Sequence, residues 1–313
     1  MKILVTGGCG FIGSHIVDAY IEAGHEVAVA DKKKSNLFPY MNNRAKYYQI
    51  DLTDSKKVNS LFEKLKPDVV NHHAANISLA KSIEKPLYDA KNNITAVINI
   101  LESAKKHGTE KIIFASSAGA LYSGNTSLPF TEKTSTNPIS PYGVSKLASE
   151  YYIKVYAELY ALKYVILRYS NIYGPRQNNT LKPIVSVFIE DLKNNQQPII
   201  NNDGSQTRDF LYVEDLKSAN LLALTYKKNA CFNISSESET SIANLFTKIK
   251  QMLKSNIEPK FKLKKIKEQQ RSFISNAKAR EKLGWNPKYN LKQGLLKTIE
   301  WYRDGEKENK RSS

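Results

Sequence analysis

Short apolar runs alternate with stretches whose apolar residues recur every three or four positions, and this alternation fills the first half of the chain. Ile3, Leu4 and Val5 make the first run, and Phe11, Ile12, Ile16, Val17 and Tyr20 follow at helical spacing. The same pattern predicts strands over 26–30, 46–50, 67–71, 111–115 and 164–169. It predicts helices over 53–65, 88–106 and 141–160, with Thr53 or Asp54 capping the first and Gly108 closing the second. Repeated strand–helix alternation with short apolar strands predicts an α/β fold built on a doubly wound parallel sheet. Beyond Asn171 the pattern loosens into a polar loop over 178–183, helices over 184–192, 243–253, 277–283 and 291–303, and a strand over 207–213 expected to return to the sheet. The expected division is a nucleotide-binding domain of residues 1–170 and 205–233, with a smaller α/β substrate-binding lobe of 171–204 and 234–313.

Between the first strand and the first helix lie Gly7, Gly8, Gly10 and Gly13. Strand, glycine turn and helix start, in that order, suit a dinucleotide. Gly7 and Gly10 allow the backbone to turn close to a pyrophosphate, Gly13 allows close helix–strand packing, and the helix N-terminus faces the phosphates. The fold is then of the Rossmann kind, with ligands at the carboxyl ends of the strands. Those ends carry Gly7, Asp31, Asp51, His72, Ser116 and Arg168. A carboxylate at Asp31 accepts hydrogen bonds from the adenosine ribose and repels a 2′-phosphate, which favours NAD over NADP, although Lys32, Lys33 and Lys34 follow directly.

Composition changes this picture little. The 313 residues are 41% hydrophobic and 25% charged, enough for one large or two modest domains. A net charge of +17 raises the question of nucleic acid, but the lysines are spread out, concentrated only over 248–271, and no aromatic-interleaved basic patch is present. No nucleic-acid partner is expected. The two cysteines, Cys9 and Cys231, form no disulfide framework, and the strand starting at Lys2 leaves no room for a signal peptide. With no apolar run of membrane-spanning length, the expected compartment is the cytoplasm. His72 and His73 have no partners at metal-ligand spacing, so no metal is expected.

Tyr142 and Lys146 carry the chemistry. With Pro141 in the first turn of its helix, the two lie one turn apart on one face. An ammonium near a phenol favours the phenolate, so Tyr142 is expected to exchange protons near neutral pH. Among 18 tyrosines such pairs also arise by chance, but here Ser116 and Ser117 end the fifth strand behind a phosphate-binding turn. A serine hydroxyl there can bond a substrate oxygen and pass its proton to Tyr142.

These stretches resemble the extended short-chain dehydrogenase/reductase family, within it the NAD-dependent epimerase/dehydratase group and its sugar-nucleotide 4-epimerases of the UDP-galactose 4-epimerase type. The matching residues are Thr6 to Gly13, His72-His73-Ala74-Ala75, Asn93 with Asn99 to Glu102, Tyr142 with Lys146, Leu167 to Gln177, Asp203 to Asp215, and Lys278-Ala279 with Leu283-Gly284-Trp285. The resemblance implies NAD held by Gly7, Gly10, Phe11, Ile12, Gly13, Asp31, Lys32, Asp51, Leu52, His73, Ala74, Ala75, Asn93, Ser116, Tyr142, Lys146 and Tyr169. It implies catalysis by Ser117, Tyr142 and Lys146, and a UDP-sugar substrate contacted by Ser78, Ser117, Tyr142, Asn171, Arg176, Arg208, Lys265, Arg271 and Ser272. Asn171 and Arg208 would hold the diphosphate, with Lys265 or Arg271 where the family has a further arginine. Ser272 would be a small gate residue admitting N-acetyl groups. A homodimer through the helices over 88–106 and 141–160 is also implied. Dehydratases of the group carry an Asp-Glu pair where this chain reads Ala118-Gly119-Ala120, leaving 4-epimerisation of UDP-glucose/UDP-galactose and of the N-acetyl pair UDP-GlcNAc/UDP-GalNAc. The alternatives are a nucleotide-keto-sugar reductase and a non-catalytic dinucleotide-binding protein.

Overall fold

The computed structural model describes residues 1–33, 39–122, 128–177, 183–263 and 269–311, the last seven of these as backbone alone. Its strands in chain order are β1 (Lys2–Thr6), β2 (Glu26–Asp31), β3 (Lys46–Gln49), β4 (Val69–His72), β5 (Lys111–Ser117), β6 (Lys163–Tyr169), β7 (Asn171–Tyr173), β8 (Ile199–Asn201), β9 (Thr207–Tyr212), β10 (Ala230–Ile234), β11 (Glu239–Ser241) and β12 (Lys260–Lys262). The α-helices are α1 (Phe11–Glu22), α2 (Ser55–Leu65), α3 (Leu79–Glu84), α4 (Pro86–Ala90), α5 (Ala96–His107), α6 (Ala118–Leu121), α7 (Pro141–Tyr160), α8 (Ile184–Lys193), α9 (Val213–Thr225), α10 (Ile242–Leu253) and α11 (Leu291–Arg311).

Among the described residues the main sheet has seven strands, ordered β10-β6-β5-β4-β1-β2-β3, and every pairing in it is parallel. Strand order reverses between β1 and β4, which opens a crevice at their carboxyl ends. Both faces of this sheet are covered, so its strands are apolar on both sides. Ile3, Val5, Val27, Val29, Ile113 and Leu167 pack under α1 and α9. Leu4, Ala28, Val70, Ile112, Phe114 and Ile166 pack on the opposite face under α2 and α5. A separate core around Phe188, Tyr212, Leu245, Phe246, Ile249 and Leu295 joins α8, α10 and α11.

Two features depart from the hydrophobic pattern. The helix expected over 88–106 is broken: α4 runs into a π-helical turn, Lys91–Thr95, before α5. A π turn inserts one extra residue without interrupting the apolar spacing enough to be seen in sequence. The strand expected to return to the main sheet, now β9, pairs with β7 and β11 in a second sheet, and β10 takes the edge beside β6. Periodicity marks a strand but not its partner.

Candidate active site

Gly10 ends the turn after β1 and is the N-cap of α1, with no side chain capping the helix. The first amides of α1 are therefore left for a ligand. Sterics fix the glycines. Gly7 has φ +71°, and a Cβ there would lie 2.6 Å from the Ala74 amide nitrogen; one on Gly13 would lie 2.2 Å from the Gly7 carbonyl oxygen. The turn thus packs its backbone directly on residues 73–74 at the end of β4. The Asp31 carboxylate accepts the Cys9 amide at 3.1 Å and the Lys33 amide at 3.0 Å, which ties the end of β2 to the glycine turn. A pyrophosphate-bearing dinucleotide fits this cradle: close backbone, an uncapped helix end and a carboxylate on the next strand.

Other residues expected near the cofactor take varied positions. Lys32 reaches across to the Tyr88 hydroxyl at 3.4 Å. Asp51 accepts the Thr53 amide at 2.9 Å, which holds its carboxyl below the usual range, while Leu52 is buried in the core under α2 and α5. The His73 imidazole meets the Tyr169 hydroxyl at 3.2 Å; burial first, then the Lys146 charge, brings its pKa down to about 3, so it is neutral. Ala74 directs its amide at the Thr6 hydroxyl. Asn93 is tied to its neighbours in the fold. Its amide donates to the Asn76 carbonyl and Asp89 and accepts the Asn76 N–H at 2.8 Å, because the π turn points it at that loop. Ser116 likewise points inward and donates to Glu150 at 2.6 Å.

Ser117, Tyr142 and Lys146 come together. Ser117 ends β5 and caps α6 by accepting the Ala120 amide at 3.4 Å, and its hydroxyl lies beside the Tyr142 phenol. Ser140 caps α7 through the Gly143 amide at 3.2 Å, and Pro141 occupies the first turn, which presents Tyr142 and Lys146 on one side. The Lys146 Nζ donates to the Ala115 carbonyl at 2.8 Å and lies 6.0 Å from the centre of the Tyr142 ring. The expected near-neutral phenol is not found in this protein without cofactor. Burial pushes the Tyr142 pKa up, the neighbouring Ser117 hydroxyl pulls it back, and Asp89 pushes it up again. Burial also lowers the Lys146 pKa to about 8, against the upward pull of Glu150 and Asp89.

On the substrate side, Asn171 opens β7 with its side-chain oxygen 3.9 Å from where a Cβ on Gly119 would sit, next to the Ser117 loop. Ser78 caps α3 through the Lys81 amide. Arg208 lies on β9 and donates to the Thr207 and Gln269 carbonyls at 2.7 and 2.9 Å. Two of the expected cations have carboxylate partners within the chain. Arg176 is paired with Asp18 of α1 at 2.7 Å, and Arg271 forms a two-pronged pair with Glu239 at 2.8 and 2.6 Å. In each case a carboxylate of the chain already neutralises the guanidinium. Ser272 is 1% exposed, with its hydroxyl enclosed and its amide directed at the Thr207 hydroxyl. Lys265 lies outside the described residues, as does Lys34. Among the described residues no group of three His, Cys, Asp or Glu could hold a metal.

Two further residues of the site, Glu150 and Asp89, are absent from the expectations that sequence alone supports. Glu150 had a signal, standing one helical turn beyond Lys146; Asp89 had none, because only the π turn and the packing of α4 on α7 bring it near.

A glycine turn at the switch point of a doubly wound sheet, with a serine at the end of β5 and a tyrosine and lysine one turn apart on α7, defines a dinucleotide-dependent enzyme of the short-chain type. The NAD dependent epimerase/dehydratase family profile matches residues 3–235, and the chain belongs to that family. It is 42% identical over 303 residues to a putative UDP-glucose 4-epimerase of Methanocaldococcus jannaschii, covering 96% of this chain and 98% of that one. Its fold superposes with a TM-score of 0.95 on Thermotoga maritima UDP-glucose 4-epimerase crystallised with UDP-glucose, at 39% identity, covering 97% and 99% of the two chains. A TM-score of 0.90 and 32% identity relate it to a UDP-N-acetylglucosamine 4-epimerase of Methanobrevibacter ruminantium in complex with UDP-N-acetylmuramic acid, covering 97% and 98%.

A lysine whose pKa is depressed to about 8 loses its charge as the pH rises through that value. NAD affinity, measured by calorimetry, should therefore weaken over that interval, and Lys146→Met should flatten the profile. A wild-type profile that is itself flat there removes the Lys146 ammonium from cofactor binding.

Proposed function

We propose that the protein interconverts the C4 epimers of UDP-hexoses with NAD as cofactor. The observation that carries the reading is the convergence of the Ser117 hydroxyl at the end of β5 with the Tyr142 phenol and the Lys146 ammonium of α7, the last 6.0 Å from the phenol ring, beside a pyrophosphate cradle. NAD held in this cradle would supply the hydride acceptor for the sugar C4 and the donor that restores it on the opposite face. Tyr142 takes the proton of the 4-hydroxyl, directly or through Ser117, and gives it back once the 4-keto sugar has turned over. Lys146 holds the nicotinamide ribose. Gly7, Gly10, Gly13 and the first amides of α1 hold the diphosphate of the cofactor, and Asp31 the adenosine ribose. Asn171 and Arg208 hold the UDP diphosphate, a fixed pivot for the turning sugar. The segment Ala118-Gly119-Ala120 offers no acid to expel water, so the keto sugar is reduced again rather than dehydrated.

We place glucose, galactose and their N-acetyl forms within its range, since Ser272 keeps the position small. A homodimer is supported by α7, which exposes Val144, Tyr151, Tyr152, Val155 and Leu159. Leu87 and Ile139 are exposed beside its first turns, so a second copy can cover this face. A cytoplasmic setting suits the two free cysteines, and among the described residues no helix is long and apolar enough to cross a membrane.

Incubation with a nucleotide-sugar panel and no added cofactor should yield C4 epimers without net NADH, read by chromatography. Tyr142→Phe should lower turnover by about 100-fold or more while NAD stays bound; retained turnover would strike Tyr142 from its role. Ser272→Tyr should cut turnover of N-acetylated substrates more than that of UDP-glucose, and an unchanged ratio dismisses the gate. Light scattering should give twice the chain mass for the wild type and a smaller species for Leu159→Glu.

A further inference from the structure

Four charged side chains are buried around α7: Lys146 at 4% exposure, Arg168 at 5%, and Glu150 and Asp89 at 0%. Arg168 and Glu150 satisfy each other through two hydrogen bonds, at 2.9 and 2.6 Å. That leaves one cation and one anion without an ion-pair contact among the described residues. Lys146 donates to the Ala115 carbonyl and lies 4.7 Å above the Phe114 ring. Asp89 is held by neutral donors: Asn76 and Asn93 on one oxygen, at 3.1 and 3.0 Å, and the Ser145 hydroxyl on the other, at 2.6 Å. Removing one partner from a set of buried charges is strongly destabilising, because it leaves an uncompensated charge.

Ser145 is the neighbour of Lys146 on α7, so Asp89 grips the same turn that carries the ammonium. Asn76 connects it to the loop after β4, which closes on the glycine turn. The groups facing Lys146 can be named element by element. Tyr142 and Glu150 come from α7, and Asp89 from α4. His72 and His73 stand at the end of β4, both held neutral first by burial and then by Lys146 itself. Arg168 comes from β6, but its charge is matched by Glu150. Asp89 is the anion not already matched by a buried cation.

We propose that Asp89 is a positioning residue, the counter-charge that keeps the buried Lys146 an ammonium and fixes the turn that presents it. The proposal rests on the reading of Lys146 as a cofactor-binding cation. Asp89 raises the pKa of both Lys146 and Tyr142, so removing its charge lowers both, whereas loss of a purely structural contact moves neither.

The test uses the full-length protein with NAD. Asp89→Asn can keep an oxygen toward Asn76 and Asn93 and place its amide against the Ser145 oxygen, so the hydrogen bonds persist while the charge is lost. The alkaline fall in NAD affinity should then move to lower pH by about one unit. Ser145→Ala, which keeps the carboxylate, should leave that fall where it is. An Asp89→Asn protein with weaker affinity at every pH but an unmoved fall overturns the proposal, and a wild type lacking the fall overturns the role of Lys146 in cofactor binding instead. A thermal double-mutant cycle supplies a second readout independent of NAD. Adding Lys146→Met to Asp89→Asn should restore melting temperature, or folding if the single variant fails to fold, because both buried charges are then gone. Strictly additive losses, or a double variant that does not recover, overturn the proposal.

Discussion

A lysine ammonium held inside a protein is the constraint around which this molecule is arranged. Leaving water costs an ion several kcal/mol, and the cost must be offset by hydrogen bonds and opposite charge. Here the offset comes from the Ala115 carbonyl near the end of β5 and from two buried carboxylates, Glu150 on the same helix, which is itself paired with Arg168 of β6, and Asp89 on α4. The π turn after α4 belongs to the same solution. It lets Asn93 bond to Asp89 while also clasping Asn76 from the neighbouring loop. Each of these contacts holds α7 where Tyr142 and Ser117 meet.

The glycine turn is governed by a different force, simple exclusion of volume. A single Cβ at Gly7 or Gly13 would overlap backbone atoms, so the loop exists only with glycine at those places. Its counterpart Asp31 orders the turn from the next strand by accepting the Cys9 amide. The Tyr142 phenol, in contrast, remains above its ordinary pKa because burial outweighs the effect of the Ser117 hydroxyl. The positively charged nicotinamide ring of NAD would bring a second cation toward that phenol.

The arginines beyond β6 acquire partners that the sequence does not announce. The resemblance sets Arg176 against the substrate and Arg271 where the family has a diphosphate-binding arginine, and in the fold Asp18 and Glu239 pair with them. Both pairs join elements distant in the chain, 158 and 32 residues apart. No local pattern announces such a partner. Arg208, by contrast, lies on β9 with its guanidinium directed toward the backbone carbonyls of Thr207 and Gln269.

The sequence by itself determined the alternation of strands and helices, the glycine turn and the one-turn spacing of Tyr142 and Lys146, because each of these is a local consequence of side-chain period or backbone sterics. Tertiary structure alone decided that β9 pairs with β7 and β11, that Asp89 comes to lie near Lys146, and that Ser272 is enclosed. Those outcomes depend on which surfaces meet and on how much water they exclude. Burial sets the charge state of Lys146 and Tyr142, and burial is a property of the assembled fold rather than of any stretch of chain.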